Sequence, residues 1–456
     1  MKKAIVSLDP LFLPLYNVYK EFEAKVNASP KQNQLSICLE RPKGFNYFFE
    51  LKVFEDGTGH DEENYQIVER IVKSILWIVG GHTFKIAESS YLTKRLQEDY
   101  SLKGKRKFDY EFMTGVYEKP LTFINIKKEE LPKPNSEMKI AAHHLDGYRI
   151  GFDAGGSDRK VSAISDGKVV FSEETVWFPK IKDDPGYHLE GVLESLNRAA
   201  SFLPRVDAIG ISSAGVCVDN KLMVSSLFVN IPKDKYEKAK NIYNDAVKKF
   251  PKASFVLAND GDVTAYAGSL ELGVDKLLGI AMGTSEAGGY IGPERTLNGW
   301  LSELAFVPVD VNPKAMVDEW SGDLGCGVKY FSQDGVIKLA KYAGIKLEED
   351  ASPARKLSFI QDLAEKNDSK ALEIFENIGT YLAYGIAYYT LFYEIDHVLL
   401  LGRVVSGKGG NIIFQKAQET LNTEFTNMKP ITLHLPDESS RRVGQSIAAA
   451  GLPKIK

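Results

Sequence analysis

Three times along the chain a short apolar run, patterned like a buried strand, ends in a loop built around glycine. Ile150-Gly151-Phe152-Asp153 leads into Ala154-Gly155-Gly156-Ser157, and Leu278-Gly279-Ile280-Ala281-Met282 leads into Gly283-Thr284-Ser285. The third run, Val398–Leu401, opens into Gly402-Arg403-Val404-Val405-Ser406-Gly407-Lys408-Gly409-Gly410. Glycine has no Cβ, so backbone N–H groups in such loops can close on an anion. Hydroxyls at Ser157, Thr284 and Ser285 add donors suited to phosphate oxygens. The first two loops join strand to strand and the third joins strand to helix, which restricts the chain to an α/β fold.

The third loop approaches a Walker A motif, with Gly402, Gly407 and Lys408 at the required spacing. Gly409 stands where that motif needs Ser or Thr to hold Mg²⁺, so a P-loop is rejected. Its glycines suit a turn lying flat against a base and ribose. Asp153, at a strand end beside the first loop, is a candidate to hold Mg²⁺ directly or through water. Asn259-Asp260 follows the strand Ser254–Ala258 and precedes a helix. Either residue can cap that helix, and the Asp260 carboxylate can also accept a proton from a hydroxyl.

The 456 residues are 44% hydrophobic and 26% charged, which excludes a disordered chain. A net charge of −4 argues against binding nucleic acid by bulk charge. Cys38, Cys217 and Cys326 form no even disulfide framework, so reduced thiols in the cytoplasm are expected. Asp9, Pro10 and Pro14 interrupt any leader peptide, and no apolar run approaches the roughly 20 residues of a spanning helix, so no membrane association is expected.

The segment Lys127–Ser136 joins a charge run to two prolines and marks a boundary near Lys127–His144. Before it, mixed strands (Leu35–Leu39, Asn46–Val53, Thr83–Ile86) and helices (Asn64–Val79, Tyr91–Tyr100) predict an α+β domain with no legible catalytic constellation. After it, Tyr148–Asp153, Lys160–Ser165 and Lys168–Glu174 read as three strands. Leu189–Phe202 reads as a helix, Val206–Ser212 as a strand, and Lys233–Phe250 as an amphipathic helix. A second hairpin start and a long helix at Lys370–Glu394 suggest a duplicated α/β unit.

The ordered set of loops resembles the actin, hexokinase and sugar-kinase superfamily, and within it the ROK family, over about Tyr148 to Leu452. Ile150–Ser157 looks like the first phosphate motif, Met282–Ser285 like the second, and Leu401–Gly410 like the adenosine motif. The resemblance implies two actin-like (ribonuclease H-like) α/β lobes with an interlobe cleft, plus the additional N-terminal α+β domain. The expected boundaries are 1–145 for the extra domain, 146–272 for lobe 1 joined by a C-terminal helix 436–456, and 273–435 for lobe 2.

The resemblance further implies ATP-dependent phosphorylation of a hexose or N-acetylhexosamine hydroxyl, with Asp260 as general base. Asn230, Asn259 and Glu303 would hold the sugar. Asp153, Gly155, Gly156, Ser157, Gly283, Thr284, Ser285, Gly402, Gly407 and Gly409 would hold ATP and Mg²⁺, the two hairpins gripping the triphosphate from opposite sides. Asp262 would lie at the surface or behind the site. A homodimer is compatible with this pattern. Many family members bind structural zinc through a histidine and cysteines, but Phe306 and Phe331 stand at two of those positions here, leaving Cys326 alone. His143-His144 has no matching cysteines, so no zinc is expected. Gln333 replaces a family glutamate that contacts the sugar. The alternatives are a sugar-sensing ROK transcriptional regulator, disfavoured because residues 1–145 do not read as a helix-turn-helix, and a non-catalytic sugar- or nucleotide-binding protein.

Overall fold

A computed structural model describes residues 6–136, 139–140, 144–436 and 444–455. The chain forms two compact units, one comprising Met1–Glu137, Ile280–Gly288 and Trp300–Leu435, the other Met138–Gly279, Gly289–Gly299 and Pro436–Lys456.

The first unit begins with α1 (Leu15–Ala28), β1 (Gln32–Glu40), β2 (Asn46–Phe54), α2 (Asp61–Ile78), β3 (Thr83–Ala87), α3 (Ser90–Asp99), α4 (Lys107–Tyr117) and β4 (Thr122–Ile126). These strands form a sheet in the order β2-β1-β3-β4, with β1 antiparallel to β2 and β3, and β4 parallel to β3. Helix α2 opens on Asp61, Glu62 and Glu63, acids at the positive end of its dipole, and buries Val68, Ile71, Val72, Ile75, Leu76 and Trp77. The segment ahead of α1 is stitched into the same unit: Leu15 N–H donates to Val309 C=O at 2.9 Å and Val311 N–H to Leu13 C=O at 3.0 Å. Sequence patterning sets 1–145 apart as a domain, whereas residues 6–136 share one compact unit with 300–435. Pairings across some 300 positions leave no periodic signature.

The second unit starts at β5 (Lys139–Ile140) and continues with β6 (Tyr148–Ala154), β7 (Asp158–Ser165), β8 (Lys168–Val176), α5 (Pro185–Ala200) and β9 (Ala208–Ser213). A ribbon of β10 (Val216–Val218) and β11 (Lys221–Val224) precedes α6 (Tyr236–Lys240), α7 (Ile242–Val247), β12 (Ser254–Asn259) and α8 (Asp260–Leu272). The sheet order is β12-β9-β6-β7-β8, with β6, β9 and β12 parallel and β6-β7-β8 antiparallel, as a ribonuclease H-like lobe requires. Lys233–Phe250 is not one helix. The Asn241 side chain donates to the Glu237 carbonyl at 2.9 Å, and the helix is interrupted there, between α6 and α7.

Strands β13 (Leu277–Met282) and β14 (Glu286–Ile291) form the second glycine hairpin, and β15 (Thr296–Leu297) pairs with β5. The first unit resumes with α9 (Gln333–Tyr342), α10 (Pro353–Glu365), α11 (Ser369–Tyr389), β16 (His397–Leu401), α12 (Gly407–Glu424) and β17 (Thr432–His434), giving the sheet order β14-β13-β16-β17. The last helix, α13 (Gly444–Ala450), lies on β6 and β9 of the second unit. It approaches so closely that a Cβ on Gly151 or Gly210 would fall 1.7 Å from a carbonyl oxygen of α13. Within the expected C-terminal helix 436–456, residues 437–443 and 456 lie outside the described residues, as does His143. No helix among the described residues is long and apolar enough to cross a membrane.

Candidate functional site

Parallel strands end on a common edge, and the register of the second unit aligns Ala154 with Ser213 and Ser213 with Asn259. Asp153, Ser212, Asn259 and Asp260 are thereby gathered at the carboxyl edge of β6, β9 and β12. Asp153 is 5% exposed, and its Oδ1 accepts from Ser212 Oγ at 2.6 Å. Burial raises its pKa, with Ser212 opposing the shift. Asn259 caps α8, its Oδ1 accepting from Gly261 N–H at 2.7 Å while its Nδ2 donates to Gly215 C=O at 2.7 Å. Asp260 is half-buried, and its pKa is pushed up to about 6, first by burial and then by the like charge of Asp153. The capping and general-base readings of Asn259-Asp260 are therefore compatible: the asparagine caps, and the aspartate begins the helix.

Behind them, Asp262 accepts from Tyr290 N–H at 3.2 Å and is raised to about 7 by burial. It ties α8 to β14 and is half-buried.

The first glycine loop is closed by Gly155 N–H donating to Asp158 C=O at 3.0 Å. Trp177 brackets it, with Nε1 donating to Gly155 C=O at 2.8 Å and N–H to Ser157 C=O at 3.1 Å. Gly156 and Ser157 are exposed. A Cβ on Gly156 would stand 3.1 Å from the Lys180 amine, so a cation lies over this loop. Asn230 is exposed after the turn Ser226–Phe228, its neighbour Ile231 anchored to the Phe228 carbonyl.

In the first unit, Gly283-Thr284-Ser285 is closed by Gly283 N–H donating to Ser285 C=O at 2.9 Å, and Gly283 C=O accepts from Gln333 N–H at 2.9 Å. The adenosine-like loop lies beside it. Arg403 Nη2 donates to Thr284 Oγ1 at 3.1 Å, and Gly402, at φ +93°, sits so close that a Cβ would fall 2.3 Å from Met282 C=O. Gly402→Ala is expected to destabilise the chain by roughly 1–3 kcal/mol, read as a lower thermal midpoint.

At the start of α12 the Glu365 carboxylate accepts from Lys408 N–H at 2.7 Å, close to Gly407. Gly409 is buried, with the Phe375 ring 2.7 Å from where its Cβ would be, so its small size serves helix packing. Glu303 is half-buried ahead of the turn Leu304–Phe306, and its N–H donates to Trp77 C=O at 3.0 Å. At the two positions compared above with zinc ligands, Phe306 packs 4.2 Å from the Trp77 ring and Phe331 packs against Gly385. Among the described residues no group of three or more His, Cys, Asp or Glu is arranged to hold a metal ion.

Four contributors were not legible in the sequence. Ser212, Lys180 and Arg403 reach the loops from other elements, and only the pairing of β9 with β6 places Ser212. The fourth is Glu286, 3% exposed at the start of β14, where an apolar residue would be expected. Its Oε1 accepts from Tyr389 OH at 3.3 Å, its Oε2 has no partner, and burial pushes its pKa up to about 8.

The sequence model of the ROK family matches residues 149–448. The chain is similar to the ROK hexokinase of Thermus thermophilus at 17% identity and a TM-score of 0.53, covering 67% of this chain and 97% of that one. It is also similar to a ROK family glucokinase of Streptomyces griseus, solved with glucose and AMPPNP (18% identity, TM-score 0.49, 67% and 99% covered). A third similar structure is a ROK family transcriptional regulator, a homologue of the E. coli MLC protein (17%, TM-score 0.49, 68% and 79%). At these identities the likeness concerns the fold. No curated protein matches the chain at a significant level.

Proposed function

This chain belongs to the ROK family, and we propose that it is an ATP-dependent kinase phosphorylating a hydroxyl of a hexose or N-acetylhexosamine. The observation that carries the reading is the meeting of Asp153, Asn259 and Asp260 at one sheet edge beside a glycine–hydroxyl hairpin.

Asp260 is assigned as the general base. Its carboxylate takes the proton of the attacking hydroxyl while that oxygen bonds to the γ-phosphorus. The bond from γ-phosphorus to the β–γ bridging oxygen breaks, and ADP leaves. Asn259, Asn230 and Glu303 are assigned to the sugar hydroxyls. Each polar atom of the Asn259 amide makes one hydrogen bond to backbone and keeps capacity for another. Gly155, Gly156, Ser157 and Lys180, with Gly283, Thr284 and Ser285, are assigned to the phosphates. Gly402 and Gly407 are assigned to the adenosine, with Gly409 shaping the helix beneath.

Asp153 and Asp260 raise no ion pair among the described residues, and the charge of Asp153 adds to the upward shift of Asp260. That crowding fits a divalent cation, so Asp153 would hold Mg²⁺ directly or through water; when bound, the ion neutralises charge on the phosphate oxygens. ATP, sugar and a cytoplasmic setting complete the reading.

Because the base acts only when ionised, kcat/KM is expected to rise about tenfold per pH unit below pH 6 and to level off above it. A profile flat from pH 5 to 8 contradicts Asp260 as base. The reading itself is tested by ADP release over a panel of hexoses and N-acetylhexosamines. Sugar-dependent release supports it. No release with any sugar, together with sequence-specific retardation of genomic DNA fragments, would establish the regulator instead.

A further inference from the structure

Residues 6–136 lie outside the matched family region, yet α2 ends against the segment assigned to the sugar. The last carbonyls of a helix have no partner within it. Here Trp77, Ile78 and Val79 C=O accept from Glu303, Ser302 and Leu301 N–H at 3.0, 2.9 and 3.4 Å, three successive bonds that fix the loop in register. Gly80 follows at φ +77°, and a Cβ there would fall 2.5 Å from Leu301 Cγ. The fit admits glycine alone, on both conformational and steric grounds.

Two further fastenings surround these bonds. Trp77 is fully buried, its Nε1 donating to Asp109 Oδ1 at 2.5 Å and its ring packed at a tilt of 31° on Phe306, three residues past Glu303. Phe108 and Phe112 of α4 complete the aromatic cluster. The returning loop is held by charge: Asp323 accepts from Lys73 at 2.6 Å, Arg70 at 2.9 Å and Arg106 at 2.6 Å. Lys73 is fully buried, so this cluster cannot form part of a solvated face. Gly325, two residues on, accepts from Val309 N–H at 2.8 Å, and Gly327 N–H donates to Val307 C=O at 2.9 Å, closing the loop onto the segment that follows Glu303.

We infer that the N-terminal region is the positioning element of the sugar loop, with the C-terminal turn of α2 setting the place of Glu303 and Trp77 as its central positioning residue. The inference rests on the reading of Glu303 as a sugar contact. A scaffold that merely stabilised the unit would affect sugar and ATP alike, whereas a positioning element acts on the sugar alone.

The test uses the full chain and four variants. Trp77→Ala removes the packing ring and Trp77→Phe keeps an aromatic ring in its place. Trp77→Leu, which retains apolar bulk without the ring, replaces Trp77→Ala if the latter does not fold. Phe123→Ala, in the Phe84–Phe123 stack of the N-terminal sheet, is the control for loss of stability alone. Hydrogen exchange at the Leu301, Ser302 and Glu303 amides is expected to accelerate about tenfold or more in Trp77→Ala and to return toward wild type in Trp77→Phe. The KM for the best sugar of the panel is expected to rise about fivefold or more, with the KM for ATP within about twofold. Phe123→Ala should lower the thermal midpoint without either change. Unchanged exchange at 301–303, or sugar and ATP constants moving together, overturns the inference. If the wild-type chain turns over no sugar, the kinase reading fails and the sugar half of the inference with it, while exchange at 301–303 alone decides whether the brace exists.

Discussion

Asp260→Asn is expected to lower sugar-dependent turnover by roughly 10²–10⁴-fold, the range general-base catalysis supplies. The substitution keeps size and the start of α8, since the cap belongs to Asn259 and its bond to Gly261 N–H. Removing the carboxylate also removes the like charge beside Asp153, so the sheet edge should be no less stable. The loss is therefore expected in kcat, with the KM for sugar nearly unchanged, because an amide can still hydrogen-bond a hydroxyl but cannot take its proton. Steady-state kinetics with calorimetric sugar binding would check it. A variant that keeps kcat but binds sugar weakly would make Asp260 a binding residue and return the base to an open question.

Glu286→Gln carries the second large effect, on stability rather than turnover. The ordinary glutamate value is 4.5, and burial raises it to about 8 in the folded chain. Between these limits the unfolded chain has released a proton that the folded chain retains. Wild-type stability therefore falls as pH rises, by about 1.4 kcal/mol per pH unit and by at most about 5 kcal/mol across the window. Glutamine does not titrate, fills the same space and can still meet Tyr389 OH. Thermal midpoints measured at pH 5, 6.5 and 8 are expected to show the variant gaining on wild type step by step. Two curves running parallel would show that Glu286 is ionised in the fold throughout.

The clustering of candidate residues at the sheet edge was legible because each is marked locally. Asp153 and Asn259-Asp260 sit where a strand stops, and glycine next to hydroxyl-bearing residues marks the hairpins without any knowledge of distant contacts. The N-terminal region was legible only as strands and helices. On α2, Glu69 and Lys73 are charged yet buried, and Arg70 beside them is half-buried. Their partners are Arg106 and Asp323, and the latter lies some 250 residues away, beyond the reach of periodicity. Lys233–Phe250 misled in the opposite way: its apolar spacing was helical, but the Asn241 side chain's bond to the backbone breaks the helix. Gly409 shows a further limit, since a glycine in a phosphate-like loop and one that admits a neighbouring ring look the same in one sequence.

Transfer of a phosphoryl group from ATP to a sugar can be followed by phosphorus NMR of reactions containing ATP, Mg²⁺ and single sugars. A phosphomonoester signal growing with ADP in equal amount is expected for at least one hexose or N-acetylhexosamine, forming at least about a hundredfold more slowly with Asp260→Asn. ADP appearing with inorganic phosphate alone, or no ADP with any sugar, would contradict it.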